Sequence, residues 1–551
     1  MSLPSQVLAR QMGLIEPRTR DVICERDLPA TMDDGVVLLA DRWVARVDSA
    51  TPQPTVLVRS PYGRRQFVGL LMGRLLAERG FQVVVQSVRG TFGSGGQFDP
   101  FDERPDGLAT LRWLRAQSWH AGRVGTFGPS YLGLVQWAIA QPAGDELAAM
   151  AVEVSASQFY DETYAGGSVS LETVASWLVL VAFQERRLAP VSINRGLRAL
   201  RRTLSEVRLD ELDVRLTGSE VRWMRDALEH PRRDSAHWRR RDYSESVAEV
   251  TAPVSFVGGW HDILLPWMLD DFKALQAGGS RTQLLIGPWT HTAPALAAAG
   301  HREGIAWLRA HLLGDDRLVR DSKVRVMVTG DGGGWRELER WPPAGARASS
   351  LYLDAGGALS REPPVTERPR PRCFDYRYDP LDPTPSLGGA VLLSRDPVVD
   401  NGPLERRDDV LTFTTEPLGE PLEAIGEVSA ELWARGEPPH FDLFVRLCEV
   451  DRDGVSRNVC DGLRSIEPEA VGEDGIAHMR VELWPTAHRF AAGNRIRVQV
   501  SSGAHPRFAR NPGTGEDRAR ADPATMRPVD VELLRDREHP SRLILPVCGG
   551  R

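Results

Sequence analysis

Lysine is almost missing from this chain of 551 residues: only Lys273 and Lys323 occur, and arginine carries the rest of the positive charge. Acids outnumber bases by 75 to 68, a formal net charge of −7, so no basic face is expected and nucleic acid is excluded as a partner. Cysteine is scarce. Cys24, Cys373, Cys448, Cys460 and Cys548 lie far apart with no CxxC pair, which excludes a disulfide framework and a zinc-ligand pattern. No metal and no other cofactor is expected. The most apolar stretch, "SWLVLVAF" at 176–183, falls well short of the roughly 20 residues that a spanning helix needs. The opening "MSLPSQVLARQMGLIEPRTR" lacks the apolar centre of a secretory signal, so the expected setting is cytoplasmic, without membrane contact.

What is present is core-forming sequence, 42% hydrophobic and 26% charged, in a chain long enough for two to four domains. Short β-branched runs alternate with helical ones early on: "TVLVRS" at 55–60, "LLMGRLLAERG" at 70–80, "FQVVVQS" at 81–87 and "GLATLRWLRAQ" at 107–117. This alternation predicts βαβ units around a mostly parallel sheet, the first part of an α/β core over 1–155. From 156 to 247 strand runs vanish and the sequence turns helical, as an insertion would. Sheet-like "APVSFVGGW" at 252–260 and "TQLLIGPW" at 282–289 then return, making 248–322 the second part of the same core. Beyond it, 323–551 holds many short alternating runs between Pro- and Gly-rich turns, the pattern of a β-sandwich or jelly roll.

Chemistry is suggested first by "GTFGPSYLG" at 125–133, where a strand runs straight into a helix at Ser130. Such a corner suits a nucleophile elbow, with Gly128 two places before the serine. It also suits an ordinary helix N-cap serine. The glycine two places after is replaced by Leu132, and Gly133 follows one later. A serine hydroxyl needs a base, and the base needs a carboxylate. In this fold the order is Ser, then Asp or Glu, then His, each following a strand. "VSFVGGWHD" ends at Asp262 and "TQLLIGPWTH" ends at His291, in that order. His261 is the rival base, but adjacent residues on an extended segment point to opposite sides, so it is disfavoured as the partner of Asp262. Oxyanion donors are expected from the amide of Tyr131 and from the turn after "TVLVRS", where Tyr62 could donate its hydroxyl or simply pack. The acidic pair Asp270 and Asp271 reads as a solvated helix face, and the glycines of "RGTFGSGG" at 89–96 as a loop beside the site rather than a phosphate loop.

Together these segments resemble the cocaine esterase and X-Pro dipeptidyl-peptidase family of serine hydrolases. The likeness is carried by "MDDGVVLLADRW" at 32–43, "RSPYG", "VRGTFGSGGQFDPFDERPDG" at 88–107, "GTFGPSYLG", "HPRRDSAHWRRRD" at 230–242, "GGWHD", "GPWTH" and "SSGAHPRFARNPGTGE" at 501–516. In that family G-x-S-Y-x-G is the normal elbow, so Gly133 fits. The resemblance implies an α/β-hydrolase core with an inserted helical cap and a C-terminal jelly roll. It implies Ser130 as nucleophile, Asp262 as acid, His291 as base, and Tyr62 with the Tyr131 amide as oxyanion hole.

Members that cleave α-amino acid esters carry acids beyond the catalytic aspartate, where this chain has Leu264 and Leu265. An ammonium would find no partner there. With Trp177 and Trp260 as further candidate wall residues, the expected substrate is a small-molecule ester with an apolar or aromatic acyl group. Peptidase or aminoacyl activity stands as the alternative, and a carbohydrate-binding protein as the non-enzymatic one. The only macromolecular partner with a place in this reading is a second copy of the chain.

Overall fold

The computed structural model describes residues 3–46, 52–206, 208–365, 367, 374–466 and 470–549; Cys373 lies outside them. The chain divides into two compact units, the first made of Met1–Tyr160, Val181–Pro190 and Arg222–Arg325, the second of Asp161–Leu180, Val191–Val221 and Val326–Arg551.

The first unit is built on strands β1 (Val22–Thr31), β2 (Val37–Ala45), β3 (Thr55–Ser60), β4 (Gln82–Ser87), β5 (Val124–Pro129), β6 (Leu147–Glu153), β7 (Val254–His261) and β8 (Thr282–Thr290). They lie side by side in the order β1-β2-β4-β3-β5-β6-β7-β8. β1, β2 and β4 pair antiparallel, and every pairing from β4 through β3 to β8 is parallel. β3, β4 and β6 are buried at every residue, which is why their sequences run apolar without alternation: helices cover both faces of a parallel sheet. The principal helices here are α1 (Arg104–Arg115), α2 (Tyr131–Ala143), α3 (Leu265–Ala277) and α4 (Pro294–Leu313). Leu111 and Leu114 of α1 and Ile139 of α2 share one core cluster with Leu57, Val84 and Val124 from the strands.

Asp271 departs from the sequence expectation. Asp270 does face solvent, 2.8 Å from Lys273, but Asp271 is 4% exposed. Its carboxyl accepts the Ser157 amide at 2.7 Å and the Ser157 hydroxyl at 2.6 Å, so a segment distant in sequence turns what reads as a surface position into a buried anchor.

In the second unit, strand Ser429–Glu437 pairs antiparallel with Ala477–Glu482, Val529–Leu534 and Arg542–Cys548, and Phe441–Val450 with Ser456–Ile466 and Arg495–Ser501. The two sheets share one core through Leu432, Val531 and Leu543 of one and Leu443, Val445 and Val498 of the other. Helices Leu171–Phe183 and Ala189–Glu206 occupy the stretch that reads as an insertion. Among the described residues, no helix is long and apolar enough to cross a membrane.

Candidate active site

Ser130 sits between β5 and α2 with φ 55° and ψ −124°, a left-handed conformation that costs an ordinary residue about 1 kcal/mol or more. The hydroxyl makes no capping hydrogen bond, so the helix-cap reading does not account for the serine. The corner is held instead by backbone. The Ser130 amide donates to the Glu153 carbonyl at 2.9 Å, and the Ser130 carbonyl accepts the amides of Gly133 at 2.8 Å and Leu134 at 3.1 Å. The Ser155 hydroxyl donates to that carbonyl too, at 2.7 Å. Both glycines are required by contact: a Cβ on Gly128 would lie 2.5 Å from Leu132 Cβ, and one on Gly133 2.3 Å from Ser155 Cβ. The glycine at the third place after the serine is thus a packing requirement against the exit of β6.

Asp262 and His291 follow β7 and β8, at the same carboxyl edge of the parallel strands as Ser130, where open α/β sheets bind ligands. His291 Nδ1 lies 2.5 Å from Asp262 Oδ1. The other carboxylate oxygen accepts the Leu264 amide at 3.2 Å, and the Asp262 amide donates to the Gly259 carbonyl at 3.0 Å. Asp262 is wholly buried and His291 is 8% exposed. With Nδ1 bound to the carboxylate, Nε2 is the nitrogen left to act on a hydroxyl. The close approach depends on glycine again, since a Cβ on Gly259 would stand 2.2 Å from the Trp289 carbonyl oxygen. His261, the rival, is paired in the ladder with Thr290, and His291 is the imidazole that holds Asp262.

Tyr62 follows β3, the other neighbour of β5, and is half-buried. Its turn is fixed on all sides. The Tyr62 amide donates to Ser60 Oγ at 3.0 Å, and Gln184 Nε2 donates to the Pro61 carbonyl at 2.9 Å. Buried Arg64 donates to Asp41 at 3.0 Å, to Ser87 Oγ at 3.1 Å and to the Phe92 carbonyl at 2.6 Å. The stretch 89–96 closes over this turn, with the Phe92 ring 3.0 Å from where a Gly63 Cβ would stand and the Phe92 amide donating to Glu185 at 3.0 Å. Its glycines shape the loop: at Gly90, φ 71°, a Cβ would stand 2.2 Å from the Phe98 amide nitrogen.

The expected pocket residues stand on three elements. Leu264 caps α3 and Leu265 opens it; both are buried, and Leu265 Cδ1 turns toward Gly258 on β7. Trp260 on β7 is 4% exposed, while Trp177 is half-buried on the helix Leu171–Phe183. Sequence reasoning missed an aromatic group beside the elbow: Phe101 lies 5.6 Å from the ring of Tyr131 and 5.1 Å from Phe159, and Phe98 lies 6.2 Å from Tyr131. The signal was there in "QFDPFDERPDG", read only as a family motif. It also missed Glu153, a buried carboxyl at the end of β6 that burial pushes up to about 8.

Comparison with known proteins agrees with this architecture. The sequence model of the X-Pro dipeptidyl-peptidase (S15 family) matches residues 34–293, and that of the X-Pro dipeptidyl-peptidase C-terminal non-catalytic domain matches 318–544. Cocaine esterase of Rhodococcus sp. (strain MB1 Bresler) is 31% identical over 570 residues, covering 94% of this chain and 97% of that protein. Among solved structures, an aminopeptidase from a Thaumarchaeota archaeon of marine sediment superposes with TM-score 0.79 at 22% identity, over 96% of this chain and 97% of that one. An α-amino acid ester hydrolase gives the same TM-score at 21% identity, over 97% and 98%. The fold is that of an α/β-hydrolase joined to an antiparallel β domain, and the molecule is a hydrolytic enzyme. The chain belongs to the cocaine esterase and X-Pro dipeptidyl-peptidase family of serine hydrolases.

Proposed function

We propose that this protein hydrolyses carboxylic esters of apolar or aromatic acids through an acyl-enzyme on Ser130. The reading is carried by the 2.5 Å hydrogen bond between His291 Nδ1 and Asp262 Oδ1, at the strand edge where Ser130 is held in a left-handed elbow. Ser130 Oγ adds to the ester carbonyl while its proton passes to His291 Nε2, and Asp262 offsets the charge on the imidazolium. The carbonyl oxygen becomes an oxyanion received by the Tyr62 hydroxyl and the Tyr131 amide at the start of α2. The C–O bond to the alcohol breaks as His291 returns the proton to it. Water, deprotonated by His291, then releases the acid and restores Ser130.

Leu264 and Leu265 stand where an ammonium would need carboxylates, and both are buried and apolar, which favours an uncharged acyl group. Trp177 and Trp260 are read as further walls. The helical segment 156–247 is read as a cap on a core of 1–155 and 248–322, and the sandwich of 323–551 as a jelly roll. Cys24, Cys448, Cys460 and Cys548 are free, in keeping with a reducing cytoplasm.

Fluorophosphonate labelling tests the centre of the proposal. One label per chain is expected in the wild type and none in Ser130→Ala, with kcat down several orders of magnitude in Ser130→Ala and His291→Ala. Full turnover by Ser130→Ala would end the reading. Preference for an X-Pro anilide over every p-nitrophenyl ester would move it to the peptidase alternative.

A further inference from the structure

Tyr131 is fixed at the far end of its side chain. It is 1% exposed, its hydroxyl donates to Glu103 Oε1 at 2.5 Å, and the Tyr131 hydroxyl oxygen accepts the Phe101 amide at 3.1 Å. Glu103 is anchored in turn. Its other carboxylate oxygen lies 2.9 Å from Arg59 Nη1, with both side chains nearly inaccessible. The Glu103 carbonyl accepts Arg59 Nη1 at 3.2 Å, and the Glu103 amide donates to Tyr243 Oη at 3.0 Å. Arg59 itself stands on β3, with Nε 2.9 Å from Gln86 Oε1 on β4. Phe101, packed on the Tyr131 ring, is held at φ 74°, and its carbonyl accepts the Tyr243 hydroxyl at 2.6 Å.

Stability alone does not explain this arrangement, because a buried ion pair is often no better than apolar residues of equal volume. What the ion pair does achieve is positional. A phenol that donates once and accepts once is pinned at two points, and the pinned ring fixes the Cα that follows Ser130. Arg59 lies three residues before Tyr62 on the same strand exit, so one ion pair ties together the two chain segments that carry the proposed oxyanion donors.

We propose that Glu103 is a positioning residue for the hydrolytic reaction: with Arg59 it locks the Tyr131 phenol and thereby holds the Tyr131 amide in register with the Tyr62 hydroxyl for the oxyanion. This rests on the serine-hydrolase function proposed above. Donors stabilise a developing charge only when they are already placed for it, and displacement on the ångström scale costs up to about a hundredfold in rate. The loss falls on the transition state and leaves ground-state binding as it was.

Two variants separate positioning from packing. Tyr131→Phe removes one oxygen and keeps the ring, while Glu103→Gln keeps the shape and removes the charge. With active sites titrated by a fluorophosphonate, each is expected to lower kcat on a p-nitrophenyl ester by about 10- to 100-fold with KM within about twofold. Affinity for an aryl boronic acid, which forms a tetrahedral adduct on the serine, is expected to fall by the same factor as kcat. The double variant should lose no more than the worse single one, as expected of groups acting as a unit. Should Tyr131→Phe fail to fold, Glu103→Gln decides alone. Unchanged titrated kcat and boronate affinity beside a lowered Tm would overturn the proposal and leave the hydrolase reading standing. A wild type that takes no label at Ser130 would overturn both.

Discussion

The carboxyl group of Glu153 lies against the backbone of Gly300, so closely that a Cβ on that glycine would stand 2.1 Å from Glu153 Cδ. Glu153 is 2% exposed, and its Oε1 has no hydrogen-bond partner. Its carbonyl is also the acceptor of the Ser130 amide, so this buried acid sits directly behind the elbow.

Burial raises the Glu153 carboxyl from 4.5 to about 8, and the sign of the consequence follows. The stability contributed by the neutral acid is complete below pH 4.5 and is lost as pH rises through about 8. The full loss is on the order of 5 kcal/mol. Glu153→Gln cannot ionise, so its Tm should gain on the wild type from pH 5 to about 8 and level off above that. A gap that stays constant over that range would mean that the folded acid is ionised throughout, as it is in the unfolded chain. Asp271, also raised to about 8 by burial, adds a slope of the same sign that remains in the variant.

Gly133→Ala should damage the elbow. The new methyl would fall 2.3 Å from Ser155 Cβ, and overpacking of this kind costs about 1 to 3 kcal/mol. Fluorophosphonate labelling should slow markedly, and Ser155→Gly placed in the same chain should restore part of both Tm and rate. A Gly133→Ala protein that matches the wild type in both would show that the contact relaxes freely.

Tyr62→Phe should lower kcat by roughly a hundredfold with little change in KM, since an oxyanion donor acts mainly in the transition state. An effect confined to KM would reduce Tyr62 to a packing residue of its turn.

Matched p-nitrophenyl esters of phenylacetic acid and its α-amino analogue should differ in kcat/KM by at least about tenfold in favour of the uncharged acid, because an unpaired polar group in such a site costs about 1 to 3 kcal/mol. Leu264→Asp should narrow that gap. The reverse preference in the wild type would point to acids elsewhere that hold the ammonium.

Much of the parallel sheet was legible because strands covered on both faces run β-branched and apolar, as "TVLVRS" and "TQLLIGPWT" do. The Asp262 and His291 pair was legible as well, from strand exits in the right order. The role of Ser130 was not decidable from its neighbours, since a cap serine and an elbow serine occupy the same place before a helix. What separates them is a backbone angle and the absence of a capping bond. Glu153 is missed and Asp271 misread for a different reason. Each looks like a polar residue taking its turn toward water, and only segments far away in the chain, α4 for one and Ser157 for the other, bring it inside. The Arg59, Glu103 and Tyr131 group shares that difficulty, its members coming from a strand, a loop and a helix start.

Gln184 and Glu185 give the segment Val181–Pro190 a status that its place between two helices conceals. One supplies the donor to the Pro61 carbonyl and the other the acceptor for the Phe92 amide. A minimal enzyme cut from this chain by excising 156–247 would therefore lose part of the brace on the Tyr62 turn. An engineer exchanging the helical segment 156–247 should keep 181–190 as native sequence, or provide in the graft an amide and a carboxylate at those two places.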